Sequence, residues 1–307
     1  MRIVFMGTPD YAAVTLQKLI DERYEIAAVF AQPDKPVGRK QVLTPPETKV
    51  LAEKYNIPVY QPKTLRDGEA YKILSKLNPD VIVVVAYGKI LPKEILDLPK
   101  YGCINGHASL LPHLRGSAPI QWAIVNGDKQ TGVTTQMMDE GIDTGDILET
   151  AVVDIGDEET AEELFDRLSV ISADLMVSTL KKAMAGLLNP AKQDDSEATY
   201  APIIKKEMAH LDFSKTADEI CNLVRGFYSW PCAFCFINDK RIKVIKAKKS
   251  NLSADECGVV IACDEKLVVS CKDGSVELVT VQPEGAKMMS AAQMLNGHKI
   301  PVGLKVN

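Results

Sequence analysis

The chain has 307 residues, 46% of them hydrophobic and 25% charged, and a net charge of −5 at pH 7. That length allows two domains with separate cores, and the composition excludes disordered, fibrous and collagen-like classes. No apolar run approaches the length of a membrane span, and the acidic total does not by itself point to a nucleic-acid partner.

MRIVFMGTPD at the start has one basic residue, a short apolar run and a turn, which is not the layout of a secretory signal. The 7 cysteines are scattered and odd in number, so a reducing, cytoplasmic setting is expected. Residues 2–6, 26–31 and 81–86 are short runs rich in Val, Ile and Ala, with helical stretches such as 10–22 and 46–55 between them. Apolar strands alternating with helices predict an α/β, Rossmann-like, mostly parallel sheet with helices on both faces. GTPDYA at 7–12 reads as a tight turn into a helix, with Asp10 as N-cap. It lacks the Gly-x-Gly-x-x-Gly fingerprint, which argues against the nicotinamide dehydrogenase that a parallel sheet would otherwise allow. QPDKPVGRKQVLTPPETK at 32–49 reads as a long loop rich in Pro and basic residues; a loop of that length without structure of its own is usually functional or disordered.

The block 101–148 contains Asn105 and His107 two residues apart and Asp143 within Gly-Ile-Asp-Thr-Gly. An amide and a protonated imidazole can stabilise a developing oxyanion. A carboxylate can hold the imidazole in one tautomer and favour its charged form. The set suits acyl transfer, although the same residues also fit a capped turn and a turn carboxylate. Ser109 follows His107 by two positions, but no base is placed to activate it, so it is read as a backbone-positioning residue in Ser-Leu-Leu-Pro.

Residues 157–186 predict one long helix opening on an acidic cluster that suits a helix N-terminus. Periodicity is then lost, and 187–205 reads as a linker between a domain at 1–186 and another at 206–307. Residues 214–228 predict a helix capped by Ser214, with Ile220, Leu223, Val224 and Phe227 as its apolar stripe. Short alternating segments from 232 to 281, with turns at Asn238-Asp239 and Asp273-Gly274, predict a small antiparallel β-barrel. Cys232 and Cys235 form a Cys-x-x-Cys without a second pair or a suitably spaced His, and fit strand packing better than metal. His113, His210 and His298 have no partner pattern and are read as surface residues. Residues 206–307 carry 14 basic and 12 acidic side chains, a net +2, which leaves −7 for the rest. Within them, 238–250 holds six basic residues and one acidic. Arg241, Lys243, Lys246 and Lys248 could line one face of a strand, either as protection of a sheet edge or as an RNA surface.

Asn-x-His at 105–107, SLLP at 109–112, Arg115-Gly116 and Asp-Thr-Gly at 143–145 together resemble the formyltransferases that use 10-formyltetrahydrofolate. FMGTPDYAA at 5–13, AQPDKPVGR at 31–39, VVVAYGKILP at 83–92 and QPEGAKMMSAAQMLNG at 282–297 are similar to the branch whose acceptor is methionyl-initiator tRNA, and the resemblance spans essentially the whole chain. Two positions depart from the family pattern. Gly106 stands where an aliphatic residue is usual, and glycine weakens a strand interior; Ser229 stands where YSWP usually has proline.

The resemblance implies that Asn105, His107 and Asp143 are catalytic. It implies a folate pocket built from Ser109, Leu110, Leu111 and Pro112, with Gly88, Ile90 and Leu91 supplying backbone groups and an apolar wall. Arg39 and Lys40 would reach the tRNA acceptor end, and the C-terminal domain would be an OB-like barrel that binds tRNA through Arg241, Lys243, Lys246 and Lys248. The implied partners are 10-formyltetrahydrofolate, as formyl-donor co-substrate, and methionyl-initiator tRNA. Neither a metal, DNA nor a membrane is implied, and a monomer is expected. A hydrolase or a small-amine formyltransferase could use the same three residues, but a small acceptor needs neither the 32–49 segment nor a basic barrel. A non-catalytic RNA-binding protein would leave Asn105, His107 and Asp143 without a task.

Overall fold

The computed structural model describes residues 1–38, 40–252, 254–297 and 300–307. Arg39 and His298 lie outside the described residues. From the N-terminus run β1 (Arg2–Gly7), α1 (Asp10–Asp21), β2 (Glu25–Phe30), β3 (Lys35–Val37), β4 (Val42–Thr44), α2 (Glu47–Lys54), β5 (Val59–Tyr60), α3 (Glu69–Leu77), β6 (Val81–Val85) and α4 (Lys93–Leu96). They are followed by β7 (Cys103–His107), β8 (Arg115–Gly116), α5 (Pro119–Val125), β9 (Gln130–Met137), β10 (Ile147–Asp154), α6 (Ala161–Ala185) and β11 (Tyr200–Ala201).

Seven strands form one sheet in the order β10-β9-β7-β6-β1-β2-β5. The five from β7 to β5 are parallel, and β9 runs antiparallel to β7. Ile3, Val4, Phe5, Met6 and the whole of β6 are buried, as strands covered on both faces must be. Val4, Met6, Ile82 and Val84 share a core with Leu74 of α3 and Ile95 of α4. On the other face Gly7 abuts Ala12 of α1, and Gly106 abuts Ser172 and Met176 of α6. The chain builds outward from β1 through β2 to β5, then returns to add β6 and β7 on the opposite side. In open α/β sheets, the crevice at the carboxyl ends of the strands beside such a reversal is where ligands bind.

Two local expectations are corrected here. Asp10 is the first residue of α1 rather than its cap, a place where its charge still suits the helix dipole. The 32–49 segment has structure of its own: β3 and β4 pair as an antiparallel ribbon, and α2 begins at Glu47. Exposed residues throughout the ribbon, among them Val37, Val42 and Leu43, hid it because neither of its faces packs on a core.

The C-terminal elements are α7 (Ala217–Gly226), β12 (Phe234–Ile237), β13 (Lys240–Ser250), β14 (Val260–Ala262), β15 (Leu267–Cys271), β16 (Gly274–Pro283), β17 (Met289–Ser290) and α8 (Ala291–Gly297). The cap of α7 is Thr216, not Ser214. Its hydroxyl accepts from Glu219 N while the Glu219 carboxylate accepts from Thr216 N, whereas Ser214 is held by Asp212. Ile220 and Val224 of the expected stripe enter the core, and Phe227 is buried. Asn238 and Asp239 both have positive φ, as a two-residue hairpin between β12 and β13 requires.

The strands run antiparallel in the order β12-β13-β16-β15-β14, with β17 on β16. The last residues of the chain close this sheet. Val260 N donates to Leu304 O at 2.9 Å and Val306 N to Gly258 O at 2.8 Å, while Asn307 N donates to Phe236 O at 3.1 Å. One short segment thus joins the β14 edge to the β12 edge and removes both as open edges. Deleting Lys305–Asn307 loses the Val306 and Asn307 bonds and the buried Val306 side chain. The expected cost is at least about 3 kcal/mol, given about 0.5–1.5 for each of the three backbone hydrogen bonds and about 1.5–3 for a buried valine, to be read as a lower thermal midpoint.

The backbone folds into two compact units, one made of 1–119, 131–153 and 165–201, the other of 120–130, 154–164 and 202–307. This grouping differs from a division at 187–205. Residues 187–201 are tied to the first unit, where β11 pairs with β8 and Ala191 bridges Ile147. In the second unit, Trp122 meets Phe227 edge-on, Gly226 sits against Val125, and Arg225 Nη1 donates to the carbonyls of Gly156 and Glu159. Polar, proline-bearing composition marks exposure, and 187–200 is largely exposed yet hydrogen-bonded.

Burial pushes the thiols of Cys103 and Cys235 up to about 12. Near neutral pH a thiol reagent should therefore modify the half-buried Cys257 and Cys263 well before those two, as mass mapping of labelled peptides would read.

Candidate active site

Asn105 and His107 lie at the end of β7, and the period of a strand puts both on the same face of the sheet. Gly106 points to the other face, where an added Cβ would sit 3.1 Å from Ser172 Oγ and 3.5 Å from Met176 Cε. The space that an aliphatic residue would take is filled by α6.

Asp143 comes from the connection between β9 and β10 and has φ +54°, a left-handed conformation that Asp adopts more readily than most residues other than glycine. Three features hold that connection. Asp139 Oδ1 accepts from Gly141 N at 3.0 Å and from Thr144 Oγ1 at 2.6 Å. Gly145 passes so close to Met137 that an added Cβ would lie 1.7 Å from the Met137 carbonyl oxygen. Gln193 Nε2 donates to the carbonyls of Asp143 and Gly145 at 2.8 and 2.7 Å.

The three residues singled out from sequence converge on the Asp143 carboxylate. Oδ1 accepts from Gln136 Nε2 at 2.9 Å and Asn105 Nδ2 at 3.3 Å, and His107 Nδ1 faces it at 3.6 Å. Oδ2 accepts from Gly116 N at 2.9 Å. The imidazole is buried, and its Nε2 lies 3.0 Å from the Leu114 carbonyl. Both ring nitrogens therefore face acceptors. Asn105 spends one N–H on Asp143 and has a second to offer. The cluster contains an amide donor, an imidazole and a fixed carboxylate at the carboxyl end of a sheet, which can bind an oxyanion and take up a proton.

The SLLP segment is tied down by its own hydrogen bonds. Ser109 is fully buried and its hydroxyl donates to His113 O at 2.6 Å, so its side chain closes a turn. Thr134 Oγ1 donates to Ser109 O at 2.7 Å and accepts from Leu111 N at 3.2 Å, pinning the segment to β9. Leu111 is buried, Leu110 packs against Gly132, and Pro112 is half-buried. In the loop after β6, Ile90 is 54% exposed and Gly88 has φ +74°, whereas Leu91 is 2% exposed and belongs to the core with Ile95. Ile90 thus presents an exposed apolar side chain, whereas that of Leu91 is spent on the core. Parallel pairing of Val84 with Asn105 sets this loop beside the end of β7. Gln32 Nε2 donates to Tyr87 O at 3.0 Å and helps fix the loop's course.

Several groups around this cluster had no role assigned from the sequence. Gln136 lies directly opposite Asn105 across the β7–β9 pair, and the only sign was a lone amide in GVTTQMM. Leu114 and the Gly116 amide act through backbone atoms, which leave no side-chain signature. Arg115 and Gln193, neither with an assigned role, meet behind the Asp143 turn.

On the barrel, Ile242 and Val244 are buried and Ala247 packs on the same core. The strand's alternation, with register shifts around Lys246, leaves Arg241, Lys243, Lys246 and Lys248 on the other face. Arg241 lies 3.8 Å over the Phe234 ring; Lys246 pairs with Glu158 at 3.0 Å and Lys248 with Glu277 at 3.4 Å. Lys40 is exposed. His113 and His210 are exposed, and His210 stacks on Phe234 with ring centroids 5.1 Å apart.

Residues 1–180 match the formyl transferase family and 203–299 match its C-terminal domain. The methionyl-tRNA formyltransferase of Geotalea uraniireducens is 48% identical over 303 residues, covering 99% of this chain and 97% of that one. That of Thermodesulfovibrio yellowstonii is 46% identical over 302 residues, covering 98% and 97%. Among solved structures, an N-formyltransferase from Helicobacter canadensis in complex with folinic acid and dTDP-3-aminofucose is similar in fold, with a TM-score of 0.69 at 21% identity over 92% of this chain and 98% of that one. A methionyl-tRNA formyltransferase from Clostridium thermocellum aligns with a TM-score of 0.58 at 24% identity, covering 82% and 94%.

Proposed function

The chain belongs to the family of methionyl-tRNA formyltransferases, and from that premise we propose that Asn105, His107 and Asp143 carry its chemistry. The reaction moves the formyl group of 10-formyltetrahydrofolate to the α-amino group of methionine on initiator tRNA, giving formylmethionyl-tRNA for translation initiation. An α-amino group titrates at about 7.7–8.0, and esterification of the neighbouring carboxyl lowers that value, so much of the nucleophile is already neutral. The work left to the protein is stabilising the formyl oxygen as it becomes anionic. Asn105 donates its second N–H to that oxygen. His107 donates from Nε2, exchanging the Leu114 carbonyl for the substrate oxygen. Asp143 orients both, accepts the amine proton directly or through a water, and returns that proton to N10 of the folate as the C–N10 bond breaks, so the carboxylate ends as it began. No covalent bond to the protein is needed.

The observation that carries this reading is the convergence of Asn105, His107 and Gln136 on one carboxylate at the strand ends. The exposed Ile90 beside β7 suits the flat face of a pterin. We assign 1–186 to catalysis, 187–205 to a connecting role and 206–307 to tRNA binding, in a cytoplasmic monomer without a DNA partner. Among the described residues no helix is long and apolar enough to cross a membrane. The test is incubation with 10-formyltetrahydrofolate and charged initiator tRNA, followed by detection of formylmethionine; failure to form it sinks the reading.

The tRNA face is assigned to Arg39, Lys40, Arg241, Lys243, Lys246 and Lys248. Combined replacement of Lys243 and Lys246 by Ala should raise the KM for charged tRNA and leave folate binding alone. The salt dependence of tRNA binding should flatten by about 0.7 log unit for each single-strand phosphate that is no longer neutralised. An unchanged salt slope would make these lysines ordinary solvated surface.

A further inference from the structure

Gln193 lies 50 residues beyond Asp143 in the chain, and both ends of its carboxamide are used. Its Oε1 accepts from Arg115 Nε at 3.0 Å and Nη2 at 2.8 Å. Its Nε2 donates to the carbonyls of Asp143 and Gly145. Arg115 is 2% exposed, and its Nη2 also reaches Asp195 at 2.8 Å. A guanidinium can only donate, so it dictates which end of the amide faces it and rules out the flipped orientation. The amide hydrogens are thereby aimed at two carbonyls of one turn.

That turn carries a left-handed residue other than glycine. Asp143 is left-handed, a conformation kept only where the surroundings over-determine it. Gln136 and the Gly116 amide hold the carboxylate itself, but its origin is set by the backbone that Gln193 ties down. Gly116 follows Arg115 directly in β8, so the group that orients Gln193 and the amide that holds Oδ2 share one short strand.

We propose that Gln193 is a positioning residue for Asp143, oriented by the buried Arg115, and that together they hold the carboxylate in its working place. The proposal rests on reading Asp143 as the catalytic carboxylate. It gives the 187–201 segment a part in the reaction beyond connecting domains.

Two variants separate the interactions. Gln193→Met matches the length and removes both polar ends. Gln193→Glu keeps an acceptor for Arg115, and so the guanidinium's partner, but turns an oxygen toward the two carbonyls. Each should lower kcat by about 10²-fold, the scale of a misplacement of about 1 Å at a reacting group. The KM for 10-formyltetrahydrofolate and for charged tRNA should change little, because the groups that bind them are untouched. Added to Asp143→Asn, either change should cost little more, since its effect passes through Asp143. Should Gln193→Met fail to fold, Gln193→Glu supplies the same readings.

An unchanged kcat in the folded Gln193→Glu variant overturns the proposal. So does a loss that multiplies fully with that of Asp143→Asn, because Gln193 would then act by another route. If Asp143→Asn alone leaves kcat intact, the reading of Asp143 falls first and the proposal with it.

Discussion

His107→Ala lowers the rate of formyl transfer by about 10²–10³-fold, the loss that follows removal of one oxyanion donor, while 10-formyltetrahydrofolate still binds. Asp143→Asn is expected to do at least as much. In the native arrangement Oδ1 accepts from Gln136 and Asn105 and Oδ2 accepts from Gly116 N, so both oxygens are engaged. An amide can accept at one end only, so one set of donors meets another donor whichever way the new side chain turns. The imidazole also loses the carboxylate facing Nδ1. Neither residue needs to touch the folate in its ground state, and groups that act mainly on the intermediate change kcat rather than binding. Single-turnover formylation and folate titration on the same preparation separate the two. Equal loss of binding and rate in a folded variant would remove His107 and Asp143 from the chemistry.

Gly145→Ala is expected to disrupt the same site from the backbone side. The new Cβ would lie 1.7 Å from Met137 O and 2.8 Å from the Met137 carbonyl carbon, and main-chain atoms of a paired strand cannot rotate away. Either the 143–145 turn moves off β9 or the end of β9 leaves the sheet. Overpacking costs about 1–3 kcal/mol where side chains can adjust, and here the loss should reach at least about 3 kcal/mol. At about 2–4 °C per kcal/mol for a unit of this size, the thermal midpoint should fall by roughly 6–12 °C, with activity falling further than the folded fraction. Gly297→Ala is the control. It lies in α8 with nothing within 4 Å of an added Cβ, and should be neutral or gain up to about 1 kcal/mol from helix propensity. A Gly145→Ala protein as stable and active as the parent would show that the turn has room to shift.

The close approach to Met137 also explains why Asp-Thr-Gly ends in glycine. The string could be read from the sequence, and its family resemblance pointed to the chemistry, but the reason for the glycine lies in a strand that pairs elsewhere. The parallel sheet was legible because β1, β2 and β6 are continuous apolar runs, and only burial on both faces makes that pattern stable. The barrel strands were legible from alternation and from turn pairs such as Asn238-Asp239. The β3–β4 ribbon was not, because it buries no face and so leaves no periodic trace.

The helix caps show the range of local rules. Thr216 and Glu219 stand at capping-box spacing, and Ser214, two residues earlier, offered an equally plausible hydroxyl. The closing segment Gly303–Asn307 left even less to read, since its role depends on two strand edges coming within reach of it.

By itself the sequence determined most kinds of elements and the two core patterns, and it singled out Asn105, His107 and Asp143, because periodicity, turn chemistry and the strings around Asn105 and Asp143 are local properties. Tertiary structure alone decided which side chains meet those groups. Gln136 reaches Asp143 through the antiparallel pairing of β7 with β9, the Gly116 amide through β8, and Gln193 from a segment whose composition resembled a linker. It also turned the side chains of Ser109 and Leu91 inward. The physical reason is that hydrogen-bond partners and burial are set by distances between chain segments far apart in sequence, and no local pattern encodes those distances.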